Sequence, residues 1–538
     1  MRRALLSLLA IGTMVATIGL SASVGAAASS GTTPLWVKHV QNYPGGISNS
    51  VRSYLDPGVQ ALQGNRQPRI SNQTSSDFPN LQMNDDTYPP LPQNETAVAY
   101  DTDEPLIAVA AANDYVSGGV VVMRTKDGGQ HWRSTRITPQ FRGTADYCTG
   151  GDPAVAYSFR DDAFYLGQLC FFRALPYSEV QIYVSKDDGK TWTPGRQAAR
   201  AASNYDYSTG KVNKHIFNDK DYITIDNNPN SAHFGRLYVT YTKFHILSNG
   251  FSDYCPIQLS YTDSVPFFDP SLTVFQHTAI QPDNPGGDGT GPSANQHSDP
   301  VVETNGTLDV AFVEEECNTA IDRHLFFQQS TDGGASFLPN QVQVDKAGQW
   351  MDNPDPADHL PNKKFRAPNT VSLAWSPTTG TLAFMYTNYI NMNQSGADIN
   401  ASLSTDDGAT WSDSLPVSVT KKGKDAPNDQ FFPWIASDPD GQFFSIWLDC
   451  RNDPNNHDIE TFQANSKDDG MTWPNSDIST ASWDPDKGFF KSASFIGDYS
   501  GLAASSEAIY PVWTDGRHSD IDTTGIGETD IFTNIELR

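Results

Sequence analysis

The chain has 538 residues, with 63 Asp and Glu against 36 Lys and Arg, and a formal net charge of −27. So acidic a surface argues against nucleic acid and anionic membrane as partners, because phosphates need a basic footprint. With 41 Gly, 35 Pro, 11 Trp, 21 Tyr and 28 Phe, the composition suits many short strands joined by turns, and large all-β repeat folds often form one domain at this length.

The N-terminus reads as a secretory signal over residues 1–28: Arg2-Arg3, an apolar core over 5–20, and a small-residue cleavage zone over 24–28. The apolar run is short for a membrane span, and no second run of that length follows. The mature protein is therefore expected to be secreted, with no membrane span after signal cleavage. Residues 29–80 are polar and rich in Pro, Gly, Asn and Ser, which predicts an extended N-terminal arm.

From residue 81 to 538 two elements repeat. The first is an apolar strand, a turn and a second apolar strand, seen at 96–100 with 106–110 and at 153–157 with 163–166. It recurs at 222–225 with 236–239, 300–302 with 308–312, 371–375 with 382–384, 432–435 with 443–447, and 501–503 with 508–513. The second is an octamer, Ser/Thr-x-Asp-x-Gly-x-x-aromatic, at Thr125-Lys-Asp-Gly-Gly-Gln-His-Trp132, Ser185-Lys-Asp-Asp-Gly-Lys-Thr-Trp192 and Ser330-Thr-Asp-Gly-Gly-Ala-Ser-Phe337. Ser404-Thr-Asp-Asp-Gly-Ala-Thr-Trp411 and Ser466-Lys-Asp-Asp-Gly-Met-Thr-Trp473 complete five copies. Each position has a physical role: the Ser/Thr closes a strand, the carboxylate accepts backbone N–H groups across a turn, the Gly takes a positive φ and the aromatic ring is buried. Self-similarity of this kind marks a repeat architecture. The stretch Tyr261-Thr-Asp-Ser-Val-Pro-Phe-Phe268 reads as a degenerate sixth copy with Asp263 in the Asp place. A calcium loop is the competing reading of Asp-Asp-Gly, but the EF-hand ligand spacing is absent.

The octamer resembles the Asp-box, or BNR, hairpin of sialidases and related β-propellers. The resemblance implies an all-β propeller, with Asp127, Asp187, Asp332, Asp406 and Asp468 in structural and not catalytic roles. Seven strand pairs predict seven blades; six, the number in sialidases, is the alternative. The last blade lacks a fourth strand, and a strand near 81–83 can supply it and close the ring.

Five cysteines leave one odd. Cys148 and Cys170 flank one two-strand unit and form the first disulfide candidate; Cys255 with Cys317 is the second choice, leaving Cys450. No CxxC or His-rich spacing accompanies them, so no metal site is expected.

In a propeller the start of each innermost strand meets the end of the second strand on one face. Polar groups recur there: Asn94-Glu95, Gly151-Asp152, Asn218-Asp-Lys-Asp221, His297-Ser-Asp299, Phe365-Arg366, Asn428-Asp-Gln430 and Gly497-Asp-Tyr499. Convergent carboxylates shift one another's pKa and mark candidate sites. Phe365-Arg-Ala-Pro368 is similar to the Phe-Arg-Ile-Pro motif of sialidases, whose Arg grips a substrate carboxylate, although here it opens the fifth blade and not the first. Arg451 and Arg517 occupy matching places in Trp-x-Asp-x-Arg, and with Arg366 suit bidentate recognition of an acidic sugar; for Arg451 and Arg517, blade-end pairs with Asp449 and Asp515 are the other reading. The resemblance further implies a Tyr nucleophile, here Tyr499 beside Asp498, and a carboxyl acid/base among Glu95, Asp152, Asp221 and Asp299.

The leading expectation is a secreted, monomeric sialidase-like glycoside hydrolase acting on extracellular glycans, with an acidic sugar as the candidate substrate. A non-catalytic propeller that binds glycan or protein is the alternative from another class. A polysaccharide lyase or endo-glucanase is the alternative among carbohydrate-active propellers. No cofactor is expected, and a structural or site cation such as calcium stays open.

Overall fold

The computed structural model describes residues 33–57, 59, 69–70, 76–77, 79–85, 87–88, 91–280, 293–319, 323–487, 494–519 and 527–538; the expected secretory signal lies outside them. Apolar runs bounded by turns become antiparallel strands, and these assemble in chain order into seven sheets around an axis. Blade I holds Gln93–Tyr100, Ala108–Asp114, Gly119–Thr125 and Arg133–Ile137 from inside to outside. The innermost strands of blades II to VII are Ala154–Ser158, Ile216–Ile225, Ser293–Val302, Val371–Trp375, Gln430–Ser437 and Gly501–Ala504. Blade VII takes its fourth strand from the other end of the chain. Asn80–Gln82 pairs with Asp530–Asn534, Leu81 opposite Thr533. The fold is thus a seven-bladed β-propeller closed by its N-terminal strand.

The core is a ring of apolar layers between neighbouring blades, since each sheet is covered on both faces. Ala97, Val122, Phe164 and Tyr183 pack between blades I and II, and Ile399, Leu403, Trp447 and Trp473 between V and VI.

The five octamers share one geometry. In the copy at 404–411, Ser404 Oγ donates to Asp406 Oδ1 (2.9 Å) and accepts from Gly408 N (2.9 Å), while Asp406 Oδ1 also accepts from Thr410 N (2.9 Å). The same bonds recur around Asp127, Asp187, Asp332 and Asp468. These aspartates tie their own turns. Gly408 sits at φ +76, where an added Cβ would fall 2.1 Å from the Phe327 ring of blade IV, whereas Gly423, at φ +70, has nothing within 4 Å. Gly408→Ala is expected to cost about 2–4 kcal/mol in urea unfolding, combining left-handed strain with overpacking. Gly423→Ala should show only the strain, about 1 kcal/mol; equal losses would mean that the contact with blade IV contributes nothing.

The sixth copy needs a correction. Thr262 ends its strand opposite Leu237, as Ser404 ends its own opposite Leu382. Ser264 therefore holds the Asp place, and Asp263, one residue early, pairs instead with Arg236 at 2.6 Å.

The stretch read as an extended arm also differs. Helices α1 (Leu35–Asn42) and α2 (Asn49–Ser53) form within it; Trp36 of α1, Val51 of α2, and Ile47 and Tyr54 on either side of α2 are buried. Trp36 meets Phe171 and Phe217, and Tyr54 stacks on Tyr115 at 4.7 Å. The segment covers the mouth of the axis over blades I to IV. Cys148 is bonded to Cys170 and Cys255 to Cys317, and Cys450 is a buried thiol.

Candidate active site on the propeller axis

The innermost strands do not enter the axis as plain strands. In blades I, III, IV and VI the register slips by a bulge between Asn94 and Ala97, Asp219 and Tyr222, Gln296 and Asp299, and Phe431 and Trp434. The residue that opens each bulge takes a left-handed backbone: Glu95 (φ +56), Lys220 (+49), His297 (+55) and Phe432 (+55), joined by Asp152 of blade II (+53). Bulges re-aim side chains, and non-glycine residues with positive φ gather where function holds them. Here they bring the Glu95 and Asp152 carboxyls, the Lys220 ammonium and the His297 imidazole into one another's fields, while the Phe432 ring packs on Phe431.

Glu95 and Asp152 form the acidic side. Asn113, at the end of the second strand of blade I, donates to Glu95 Oε2 (2.6 Å) and accepts from Asp152 N (2.8 Å), so one amide positions both residues. Burial, with the charges of Asp152 and Asp498 beside it, pushes the Glu95 carboxyl well above the usual carboxylate range; its side chain is hydrogen-bonded to Asp152. These surroundings favour the protonated form of Glu95. The N-terminal segment completes this side: Ser50 Oγ donates to Asp152 Oδ1, and Ser48 reaches Asp219 with its N–H (2.7 Å) and its hydroxyl (3.0 Å). Burial and the charge of Asp152 raise Asp219 to about 7.

The opposite side is cationic and aromatic. Lys220 is 5% exposed, and its Nζ lies 3.7 Å from the centroid of the Tyr499 ring. Tyr222 and Trp434 lie together at 5.2 Å, with Tyr499 beyond Trp434 at 6.0 Å. Burial, then Lys220, Arg366 and Arg323, lower His297 well below its ordinary value, so its imidazole is neutral, and its Nδ1 has no hydrogen-bond partner. Arg366 Nε donates to Asp498 Oδ1 at 3.1 Å in a two-toothed pair, and Asp498 N donates to Glu95 Oε1.

The residues singled out from sequence divide accordingly. Glu95, Asp152, Asp498, Tyr499 and Arg366 come together on the axis. Asp221 lies alongside with both oxygens unpartnered and its carboxyl raised well above the usual range by burial, one oxygen 2.4 Å from where a Cβ on Gly167 of blade II would sit. Asp299 instead accepts from Ser372 Oγ and Leu373 N, tying blade IV to blade V, and burial raises it to about 7. At Tyr499, the expected nucleophile, no base among the described residues hydrogen-bonds the buried hydroxyl, and burial with nearby carboxylates raises the phenol. The three arginines do not act together. Arg451 holds Asp449, which also takes Trp447 Nε1, and lies 4.1 Å from the Phe462 ring centroid; Arg517 holds Asp515, with Trp513 Nε1, over Phe532. Trp-x-Asp-x-Arg is thus a blade-end clamp. Lys220 and His297 lie in two of the polar strand entries that the sequence singles out, but no role attaches to Lys220 there; Ser48 and Ser50 were missed, because nothing in the polar stretch around them marks a site.

No protein-family model and no curated protein matches the chain. Among solved structures it is similar to a polysaccharide lyase, an ulvan lyase of family PL25, at 10% identity over 87% of this chain and 98% of that one, TM-score 0.47. It is also similar to the GH93 α-L-arabinofuranosidase of Fusarium graminearum, at 11% identity over 86% and 97%, TM-score 0.42. A Hadza microbial sialidase aligns at 12% identity over 80% and 73%, TM-score 0.42.

Away from the axis, a cavity of about 600 Å³ on the octamer-bearing face is lined by His233, Arg236, Tyr261, Asp263, Leu272 and Val274, among others; its arginine is already engaged by Asp263. Among the described residues, two groupings have metal-ligand spacing, Asp453–His457–Asp458 and His457–Asp484–Asp486. They share one histidine, and Lys364 already pairs with Asp486 at 2.7 Å.

Proposed function

We propose that the protein is an exported glycan-acting enzyme that cleaves a glycosidic bond at the axial site, with Glu95 as proton donor and an acidic sugar in the substrate. The observation that supports this most is the Glu95–Asp152 pair: one buried carboxyl raised by burial and by its acidic neighbours, positioned by Asn113 beside a second held by serine hydroxyls. A carboxyl raised by burial beside a second carboxyl is suited to donating a proton to a leaving sugar oxygen. Asp498 is a weaker candidate for this role because Arg366 occupies both of its oxygens. Trp434 and Tyr222 offer apolar ring surface for a sugar.

Turnover of a panel of fluorogenic sialosides, uronides and neutral glycosides tests this. Glu95→Gln, which keeps shape and removes the proton, is expected to lower turnover by about 10²–10⁴-fold with an unchanged melting temperature. A fully active Glu95→Gln enzyme would remove Glu95 from the chemistry. A well-folded parent chain that turns over nothing would favour a binding propeller.

A second reading, β-elimination from a uronide, is favoured by the neutral His297 with its free Nδ1 beside Lys220 and Tyr499. There His297 would take the proton next to the carboxylate, Lys220 would balance its charge and Tyr499 would protonate the departing oxygen. An unsaturated, ultraviolet-absorbing product made by Glu95→Gln but not by His297→Ala would establish it.

A further inference from the structure

We infer that Lys220 is the specificity-determining cation of the axial site, reading a carboxylate or sulfate on the sugar, and that Arg366, Arg451 and Arg517 are not. This rests on the proposed glycan-acting role of the site.

Every arginine that the sequence offered for this role is already matched. Arg366 is paired with Asp498, Arg451 with Asp449 and Arg517 with Asp515. Arg323, itself buried, is bidentate to Asp358. Lys220 differs: among the described residues no carboxylate lies within ion-pair distance of its ammonium, whose close neighbour is the face of Tyr499. A ring face repays only part of the cost of removing an ammonium from water. The acids that interact with it, Glu95, Asp221 and Asp299, are all pushed above the usual carboxylate range by burial, and none closes on the ammonium as an ion pair. His297 adds no negative charge and Tyr499 offers an unpartnered hydroxyl. The result is a positive spot with free polar groups, inside a chain of net charge −27. The backbone is held left-handed at Lys220 itself, so the strain is spent on aiming this side chain. An oxyanion on a bound sugar would pair with the ammonium and accept from the Tyr499 hydroxyl.

The test uses Lys220→Met, close in shape but uncharged, and Lys220→Arg. Binding of glucuronate, N-acetylneuraminate and glucose 6-sulfate, with glucose and galactose as neutral partners, is measured by calorimetry or ligand-observed NMR on the full chain, alongside melting temperature. We expect Lys220→Met to lose at least tenfold in affinity for the anionic sugars and none for the neutral ones. Its melting temperature should hold or rise, because an unpaired buried charge has gone; Lys220→Arg should recover part of the binding. Which anionic probe responds tells carboxylate from sulfate. Unchanged anionic binding by Lys220→Met overturns the assignment and leaves the glycan-acting reading standing, as does a parent chain that binds neutral sugars only. A lower melting temperature with loss of both ligand classes means that Lys220 is structural. No sugar binding by the parent chain overturns both.

Discussion

Arg366→Ala lowers the stability of the propeller by about 3–5 kcal/mol in urea unfolding. Arg366 belongs to blade V and Asp498 to blade VII, and both are largely buried, with side chains 11% and 1% exposed. Removing the guanidinium leaves the Asp498 carboxylate buried without its charge partner, next to Glu95. The loss should fall sharply in the double variant Arg366→Ala/Asp498→Ala, because the stranded charge is then gone; the difference between the cycles measures the coupling. An arginine held mainly for a ligand would behave otherwise, costing little stability and much affinity. A small loss in Arg366→Ala, with no coupling to Asp498, would return Arg366 to the role that sequence resemblance suggested.

Thermal unfolding followed against pH should peak on the acid side, at roughly pH 4–5, and fall steadily toward neutrality. Asp219, Asp299 and Asp398 are raised to about 7 by burial, Asp219 and Asp398 also by neighbouring acids. Glu95, Asp221 and Asp309 are raised further. A group raised on folding binds its proton more tightly in the native state, so its contribution is complete below the unfolded pKa and is lost as pH climbs through the folded one. For the three aspartates that window runs from the ordinary aspartate value to about 7, and each is worth on the order of a few kcal/mol. The octamer aspartates Asp127, Asp187, Asp332, Asp406 and Asp468 are lowered. Their contribution is present above the ordinary aspartate pKa and disappears as pH falls below it, which sets the acid limb. Asp219→Asn should flatten the neutral limb. A stability curve that rises from pH 5 to 8 would contradict the burial of these acids.

The blades and the ring closure were legible because they repeat. Each strand pair is a contiguous apolar run, the octamers carry their turn chemistry within eight residues, and the missing strand could be counted. The sixth octamer was misread because Thr262-Asp263 presents a carboxylate one place too early, a slip that only the pairing with Leu237 reveals. The helices at 35–53 were invisible for another reason. Trp36, Ile47, Val51 and Tyr54 have no core of their own and are explained only by the rings of blades I to III that receive them. The axial groups fell between these cases. Glu95 and Asp152 stood out as charges opening apolar strands, but Lys220 and His297 gain meaning only from bulges, and a bulge has no motif. The arginines misled because a charged pair repeated in two blades looks the same in sequence whether it faces a ligand or its own neighbours.

The pairing of Asn80–Gln82 with Asp530–Asn534 also sets the order in which the molecule can be made. Blades I to VI each draw their strands from one continuous stretch, so they can form early and from short loops. Blade VII cannot, because its outer strand and its other three lie at opposite ends of the sequence, and Asp498, Tyr499 and the roof over Asp152 are fixed only when those ends meet. An open ring leaves Glu95 and its neighbours wet and ionised. Burial raises these acids, so closure of the ring favours proton uptake, and the axial arrangement of side chains does not exist in any partly assembled form of the chain.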